Sequence, residues 1–162
     1  MQGCRTSDHI FLLQTLVEKV VKKEKGRLYA AFIDFKNAYD TVNQDFLLRR
    51  LKDLGMNGIF LCNIEAMYKR TEYYIKVKNG LLPDKINSNL GLKQGCPLSP
   101  MLFNLYMDDV ENIFDEECKP IYFQNERINH FLYADDLVIL SHSKEGLQRS
   151  LDNFLIFQTK NT

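Results

Sequence analysis

The stretch FLYADDLVIL, Phe131 to Leu140, sets two adjacent aspartates inside an otherwise apolar run. Phe131, Leu132, Tyr133, Leu137, Val138, Ile139 and Leu140 are strand formers, and the run is too short for a typical helix. Strand side chains alternate, so Phe131 and Tyr133 face one way, Leu132 and Ala134 the other. The simplest geometry is a strand, a tight turn and a second strand, with Asp135 and Asp136 at the hairpin tip. Two carboxylates about 4 Å apart repel by about 4 kcal/mol at an effective dielectric near about 20. A divalent cation removes that cost, and hard oxygen donors suit Mg²⁺. An ordinary solvated turn explains the same residues nearly as well, because Asp favours turns for local reasons. The stretch alone leaves both readings open.

Length and composition bound the answer. A chain of 162 residues, 45 % of them apolar, suits one globular domain with its own core. Its 21 basic residues are balanced by 21 acidic ones, so the chain lacks the basic footprint usual for nucleic-acid binding. An acidic metal centre would mask a basic groove elsewhere. The cysteines Cys4, Cys62, Cys96 and Cys118 form no CxxC pair, and His9, His130 and His142 are scattered. That spacing argues against zinc and against a disulfide framework. No apolar run approaches the roughly 20 residues of a membrane span, and Arg5, Asp8 and His9 interrupt any signal-peptide pattern. The expectation is a soluble intracellular protein, in nucleus or cytoplasm, with no membrane partner.

Working outward, Ser7 or Asp8 caps a first helix carrying Ile10, Leu13, Val17, Val20 and Val21 as its core stripe, ended by Gly26. LYAAFIDF, Leu28 to Phe35, reads as a strand buried on both faces, with Asp34 at its end. A carboxylate at such a rim must be hydrogen-bonded, paired or metal-bound, or else be a turn or cap residue. Asp40 suits the turn or cap role, ahead of a helix from about Gln44 to Leu54 with Gly55 after it. A second helix follows near Gly58 to Tyr68. Glu72 to Lys78 alternates as a strand before the hairpin signal Asn79-Gly80. Tyr74, Lys76 and Lys78 suit either a nucleic-acid-binding face or a solvated one.

LGLKQGCPLSP, Leu90 to Pro100, is a loop held for its backbone shape, either as a ligand approach or as a helix entry. Ser99 as cap and Pro100 at the first position open a helix over 101–114. Neighbours on a helix point about 100° apart, so Asp108-Asp109 reads as a solvated face rather than a joint metal site. Asp115 to Lys119 is a polar connector, Pro120 to Phe123 a short strand, and Gln124 to Asn129 a turn into the Asp-Asp hairpin. Ser143 caps a last helix with Leu147, Leu151, Phe154 and Leu155 as its stripe, and FQTKNT adds no further element.

Asp34, the glycine–proline loop and the Asp135-Asp136 hairpin are together the parts of a nucleotidyl-transfer site. Carboxylates on neighbouring strands hold two metals about 4 Å apart, and such a site needs no nucleophilic side chain. The chain resembles the reverse transcriptase domain of non-LTR retrotransposons through AFIDFKNAYDTV at 31–42, GLKQGCPLSPMLFNLYMDD at 91–109 and FLYADDLVIL at 131–140, in the family's order and spacing. The resemblance covers nearly the whole chain.

That resemblance implies an α+β polymerase palm, its antiparallel sheet packed on helices, with partial fingers and no thumb. Residues 1–27 would be a finger/palm remnant helix and 28–162 the palm with inserted finger-side helices. It implies Asp34, Asp135 and Asp136 as catalytic metal ligands, Asp135 the firmer of the pair, with the Phe35 carbonyl as a further ligand. Tyr39 matches the aromatic gate that excludes a ribose 2′-OH, and Gln94 and Gly95 match the loop that touches the incoming nucleotide. The implied reaction adds dNTPs to a DNA primer 3′ end on an RNA template, with two Mg²⁺ for which Mn²⁺ substitutes. SKEGLQRSLDNF matches the family's helix after the hairpin, whereas LIFQTKNT does not continue its pattern, and QGC with Arg5 is a compressed finger segment. The expectation is therefore a truncated domain. Its alternatives are an inactive palm fragment that at most binds nucleic acid, and a structural interaction domain.

Overall fold

The computed structural model describes residues 6–69, 72–78, 80–86 and 88–161. Cys4, Arg5 and Asn79, each singled out above, lie outside the described residues. Two compact units divide the chain, one of residues 6–36 and 109–160, the other of 37–108.

The first unit is built on a three-stranded antiparallel sheet, β1 (Tyr29–Asp34), β7 (Asp136–Ser141) and β6 (His130–Tyr133), with β7 in the middle. Because β7 is paired on both sides, it is the strand whose apolar run is buried, at Leu137, Ile139 and Leu140. β1 departs from the expectation of burial on both faces. It is an edge strand whose burial alternates, and Phe32 is 73 % exposed.

Helix α1 (Thr6–Val17) continues as a π-helical segment, Glu18–Lys23. It delivers Leu16 and Val20 to a core cluster with Ile121 and Leu140, flanked by Leu13, Phe131 and Val138. The expected stripe is corrected here, because Ile10, Val17 and Val21 are exposed. Apolar residues occupy nearly every face of this helix, so helical periodicity offered several stripes and could not choose among them.

A 3₁₀ segment, Glu116–Cys118, stands where a polar connector was expected, capped by Asp115, whose carboxylate accepts from the Cys118 N–H at 3.0 Å. The Arg149 guanidinium beside it holds the Asp115 carboxyl below its ordinary range. β4 (Ile121–Phe123) pairs with β5 (Glu126–Ile128), so the segment read as a plain turn contains a strand. The reversal is confined to Gln124 and Asn125, both at positive φ (50° and 70°), the combination of a type I′ turn.

Helix α5 (Lys144–Asn161) starts as expected, with the Ser143 hydroxyl accepting from the Gly146 N–H at 2.9 Å. It runs on through FQTKN, burying Phe154 and Phe157, while Leu155 is 60 % exposed and outside the stripe.

The second unit packs α2 (Gln44–Asp53) against α3 (Gly58–Lys69) and α4 (Ser99–Met107). Leu47, Leu51, Ile64, Tyr68, Leu102, Phe103 and Met107 are its buried core residues along these helices. Asn43, not Asp40, caps α2, accepting from the Phe46 N–H at 3.0 Å. Gly55 sits at φ +85° beyond the helix end, where a side chain would be strained. The helix expected over 101–114 is α4 followed by a 3₁₀ segment, Asp108–Ile113. Asp108 is more than a solvated residue, since it takes the Arg50 guanidinium at 2.9 Å. β2 (Tyr73–Val77) and β3 (Gly80–Ile86) form a hairpin with an irregular register between Tyr74 and Lys76.

Candidate active site

In the first unit, register brings two of the predicted carboxylates together. Asp34 ends β1 directly opposite Asp136, the first residue of β7. Directly opposed residues of an antiparallel pair project to the same face, with Cβ atoms about 5 Å apart. Tyr133, opposite Asp136 on β6, shares that face. Asp135 occupies the second position of the two-residue turn between β6 and β7, half-buried beside the pair. Positive φ at Ala134 (52°) and not at Asp135 is the pattern of a type II′ turn, whose first central residue favours glycine. Alanine there stores about 1 kcal/mol of strain.

No hydrogen bond or ion pair among the described residues engages the side chains of Asp34, Asp135 or Asp136. Like charges directly opposed across a sheet are destabilising, and among the described residues no lysine or arginine forms an ion pair with either. This donor set, acidic oxygens at one sheet end, fits a hard divalent ion. Among the described residues, no group of three or more His, Cys, Asp or Glu side chains is gathered as a metal-binding set. Asp34 and Asp136 form a facing pair, with Asp135 on the adjoining turn. Helix α1 backs this hairpin through His9, whose ring lies 5.7 Å from both Phe131 and Tyr133.

Within the second unit, the segments 37–44 and 89–94 are laced together. The Leu92 N–H donates to the Tyr39 carbonyl at 2.7 Å, and the Gly91 N–H to the Val42 carbonyl at 2.8 Å. Gln44, buried, donates through Nε2 to the carbonyls of Leu90 and Gly91. Gly91 takes φ +90°, and a Cβ there would stand 3.2 Å from the Asp40 carbonyl oxygen, so the two segments touch through bare backbone. Tyr39 is half-buried, its ring stacked on Phe103 at 5.0 Å. Ser99 does not cap α4. It is buried inside the first turn, and its hydroxyl donates to the Lys93 carbonyl at 2.7 Å, closing the glycine–proline loop on itself.

Gln94 and Gly95 are exposed at the loop's tip, Gly95 at φ +76°. Gln94 donates to Asp40, a contact that sequence reasoning missed because Asp40 suited a helix cap too well. Tyr74, Lys76 and Lys78 are exposed, but so is every residue of β2. Alternation there does not mark a buried face.

The chain that carries these arrangements is similar to known proteins over nearly its whole length. A family model described as reverse transcriptase (RNA-dependent DNA polymerase) matches residues 2–161. The chain belongs to that family. It is 34 % identical over 149 residues to the retrovirus-related Pol polyprotein of the type-1 retrotransposable element R2 of Nasonia vitripennis, covering 90 % of this chain and 14 % of that protein. The corresponding protein of Popillia japonica is 30 % identical, covering 90 % of this chain and 24 % of the relative. The chain thus spans a quarter or less of the length of these relatives.

Among solved structures, apo telomerase from Candida tropicalis, truncated from its C-terminal domain, aligns with a TM-score of 0.72 at 18 % identity. That alignment covers 98 % of this chain and 33 % of the telomerase chain, which shows a shared fold. The mixture of helices and antiparallel sheets is the α+β, palm-like architecture expected of reverse transcriptases. Among the described residues, no helix is long and apolar enough to cross a membrane.

Proposed function

We propose that this chain carries the polymerising centre of an RNA-directed DNA polymerase, which extends a DNA primer 3′ end with dNTPs on an RNA template. The observation that carries the reading is the direct opposition of Asp34 and Asp136, with no ion pair to either among the described residues. Asp34, Asp135 and Asp136, with the Phe35 carbonyl, would hold two Mg²⁺. When bound, these ions supply charge stabilisation to the attacking 3′-oxygen and the departing pyrophosphate.

The chain's own residues do the positioning. The buried β7 strand fixes the carboxylate pair, so the acidic oxygens do not reorganise as charge develops. Tyr39, held by its stack on Phe103 and its tied carbonyl, is the proposed gate against a ribose 2′-OH. Gln94 and Gly95 are the proposed contacts to the incoming nucleotide. Tyr74 and Lys76, exposed on β2 and followed by Lys78, offer a nucleic-acid strand a stacking surface and two positive charges. The template and primer are read through charge and stacking there, which the chain's zero formal charge leaves to local clusters.

A second reading is an inactive palm that at most binds nucleic acid. It is favoured by the carboxylates' not being gathered as a three-membered set. Primer extension on an RNA template with Mg²⁺ separates the two, with an Asp135→Ala/Asp136→Ala variant as control. Extension that vanishes in the control supports the polymerase. A folded protein that retards template–primer but never extends it supports the second reading.

A further inference from the structure

The contact between Gln94 and Asp40 has no part in the roles assigned so far. Gln94 Nε2 lies 3.1 Å from one carboxylate oxygen of Asp40 and 3.4 Å from the other. An amide's two ends are hard to tell apart by shape, but an ionised carboxylate only accepts. The end of Gln94 turned toward Asp40 is therefore its NH₂, and the carbonyl Oε1 is turned away. Gln94 makes no other side-chain hydrogen bond among the described residues, so this one decides its orientation.

Both backbones are fixed before the side chains meet. The Asp40 N–H donates to the Asn37 carbonyl at 2.9 Å, and Asp40's own carbonyl abuts Gly91. On the loop side, Leu92 is tied to Tyr39, and Ser99 closes the turn at Lys93. Two exposed side chains on anchored backbones thus meet in one geometry. Without the carboxylate, Gln94 is a solvated side chain with free rotors.

We propose that Asp40 is the positioning residue of Gln94, holding its amide so that Oε1 is presented as the loop's acceptor. This rests on the reading of residues 94 and 95 as a nucleotide contact. A negative charge behind the NH₂ polarises the amide and strengthens Oε1 as an acceptor. Asparagine at position 40 retains an accepting oxygen and so preserves the arrangement, whereas alanine abolishes it. Neither change touches the fold's core, because the Asp40 side chain is exposed.

The test has two arms on the intact chain. In the first, ¹⁵N–¹H NMR follows the Gln94 side-chain NH₂ signals. They shift in Asp40→Ala, stay near their wild-type positions in Asp40→Asn, and the backbone spectrum is retained in both. In the second arm, calorimetric titration with dTTP and Mg²⁺ compares wild type, Gln94→Ala, Asp40→Ala, Asp40→Asn and the Asp40→Ala/Gln94→Ala double variant. Asp40→Ala weakens binding about five-fold, the size expected for loss of one hydrogen bond. It adds nothing further in the Gln94→Ala background, and Asp40→Asn restores most of the affinity.

Amide signals indifferent to Asp40→Ala, beside a normal loss in Gln94→Ala, would overturn the role of Asp40 alone. An equal loss from Asp40→Ala in both backgrounds would overturn it too, since Asp40 would then act by itself. If wild type binds no dTTP, or Gln94→Ala binds it undiminished, the nucleotide reading of the loop fails and takes this proposal with it.

Discussion

Two hairpins among the described residues, β6–β7 and β2–β3, meet opposite fates. In β6–β7, the second strand is central to a sheet and buries Leu137, Ile139 and Leu140. In β2–β3, a two-stranded sheet stands by itself and all five residues of β2 are exposed. An isolated two-stranded ribbon has marginal stability in water, whereas a third strand and a packed face make a sheet rigid. The difference matters for chemistry. Strain at Ala134 and a like-charge pair at Asp34 and Asp136 are tolerable only where surrounding packing overdetermines the backbone. The exposed strand β2 carries no such load.

The largest blow to this contrast comes from loosening the anchor of β7. Ser141, wholly buried, donates its hydroxyl to the Cys118 carbonyl at 2.8 Å, and Gly146 closes over the same spot. A Cβ on Gly146 would lie 2.5 Å from both the Cys118 carbonyl oxygen and Ser141 Oγ. Gly146→Ala should lower stability by about 2 kcal/mol, even after the helix-propensity gain of alanine. Denaturant unfolding measures it, and a variant as stable as wild type would show that this junction does not hold the sheet.

Next in size is the carboxylate pair. Asp136→Asn relieves the repulsion across β1 and β7, so the fold should gain up to about 1 kcal/mol. Mn²⁺ affinity should fall by about ten-fold or more in the same protein, because a charged donor is lost. Thermal unfolding and Mn²⁺ titration read the two effects separately. Stability and affinity that moved in the same direction would contradict a site that is strained for the sake of its ion.

A smaller effect follows from His130 on β6. Burial holds its pKa below the ordinary 6.5, against the opposing pull of Glu111 and with a lesser contribution from Arg127. The folded state therefore favours neutral imidazole. Its contribution is fully present above the unfolded value and is lost as pH falls through the depressed folded pKa. Stability of wild type should decline below about pH 6.5 more steeply than that of His130→Phe. Parallel pH profiles of the two unfolding midpoints would refute this assignment.

What could be read in advance followed from how singular each signal was. Phe131 to Leu140 forms the expected hairpin, but its turn is Ala134-Asp135, so Asp136 opens β7 opposite Tyr133 instead of sitting in the turn beside Asp135. Ser143 and Gly55 mark helix ends through local chemistry, which operates before any tertiary contact. Helix α1 and its π-helical continuation were illegible in their facing because apolar residues ring the axis, and Leu16 and Val20 are the ones fully buried in the core cluster. β1 misled for a related reason: an unbroken apolar run does not reveal whether the strand lies in the middle of its sheet or at the edge. Asp40 and Ser99 each matched a capping rule, yet both serve the loop 91–98 instead, Asp40 through a contact from 54 residues away and Ser99 by closing the loop on Lys93. The carboxylates were legible as a set of residue types. Which of them directly faces Asp34 was not, since that depends on the pairing of β1 with β7.

The smallest change in stability is predicted where the second hairpin is altered. Tyr74→Ala and Lys76→Ala remove exposed side chains from β2, and surface substitutions of this kind stay within about 0.5 kcal/mol. Their effect should appear instead in binding to an RNA–DNA template–primer. Loss of Lys76 reduces the slope of log affinity against log salt by about one unit if it contacts a phosphate, equally for all sequences. Loss of Tyr74 weakens binding without changing that slope, because stacking releases no counterion. Filter binding over a range of salt concentrations distinguishes the two. If both variants bind as wild type does at every salt concentration, the hairpin is only a solvated face, and its contrast with the carboxylate hairpin is one of stability alone.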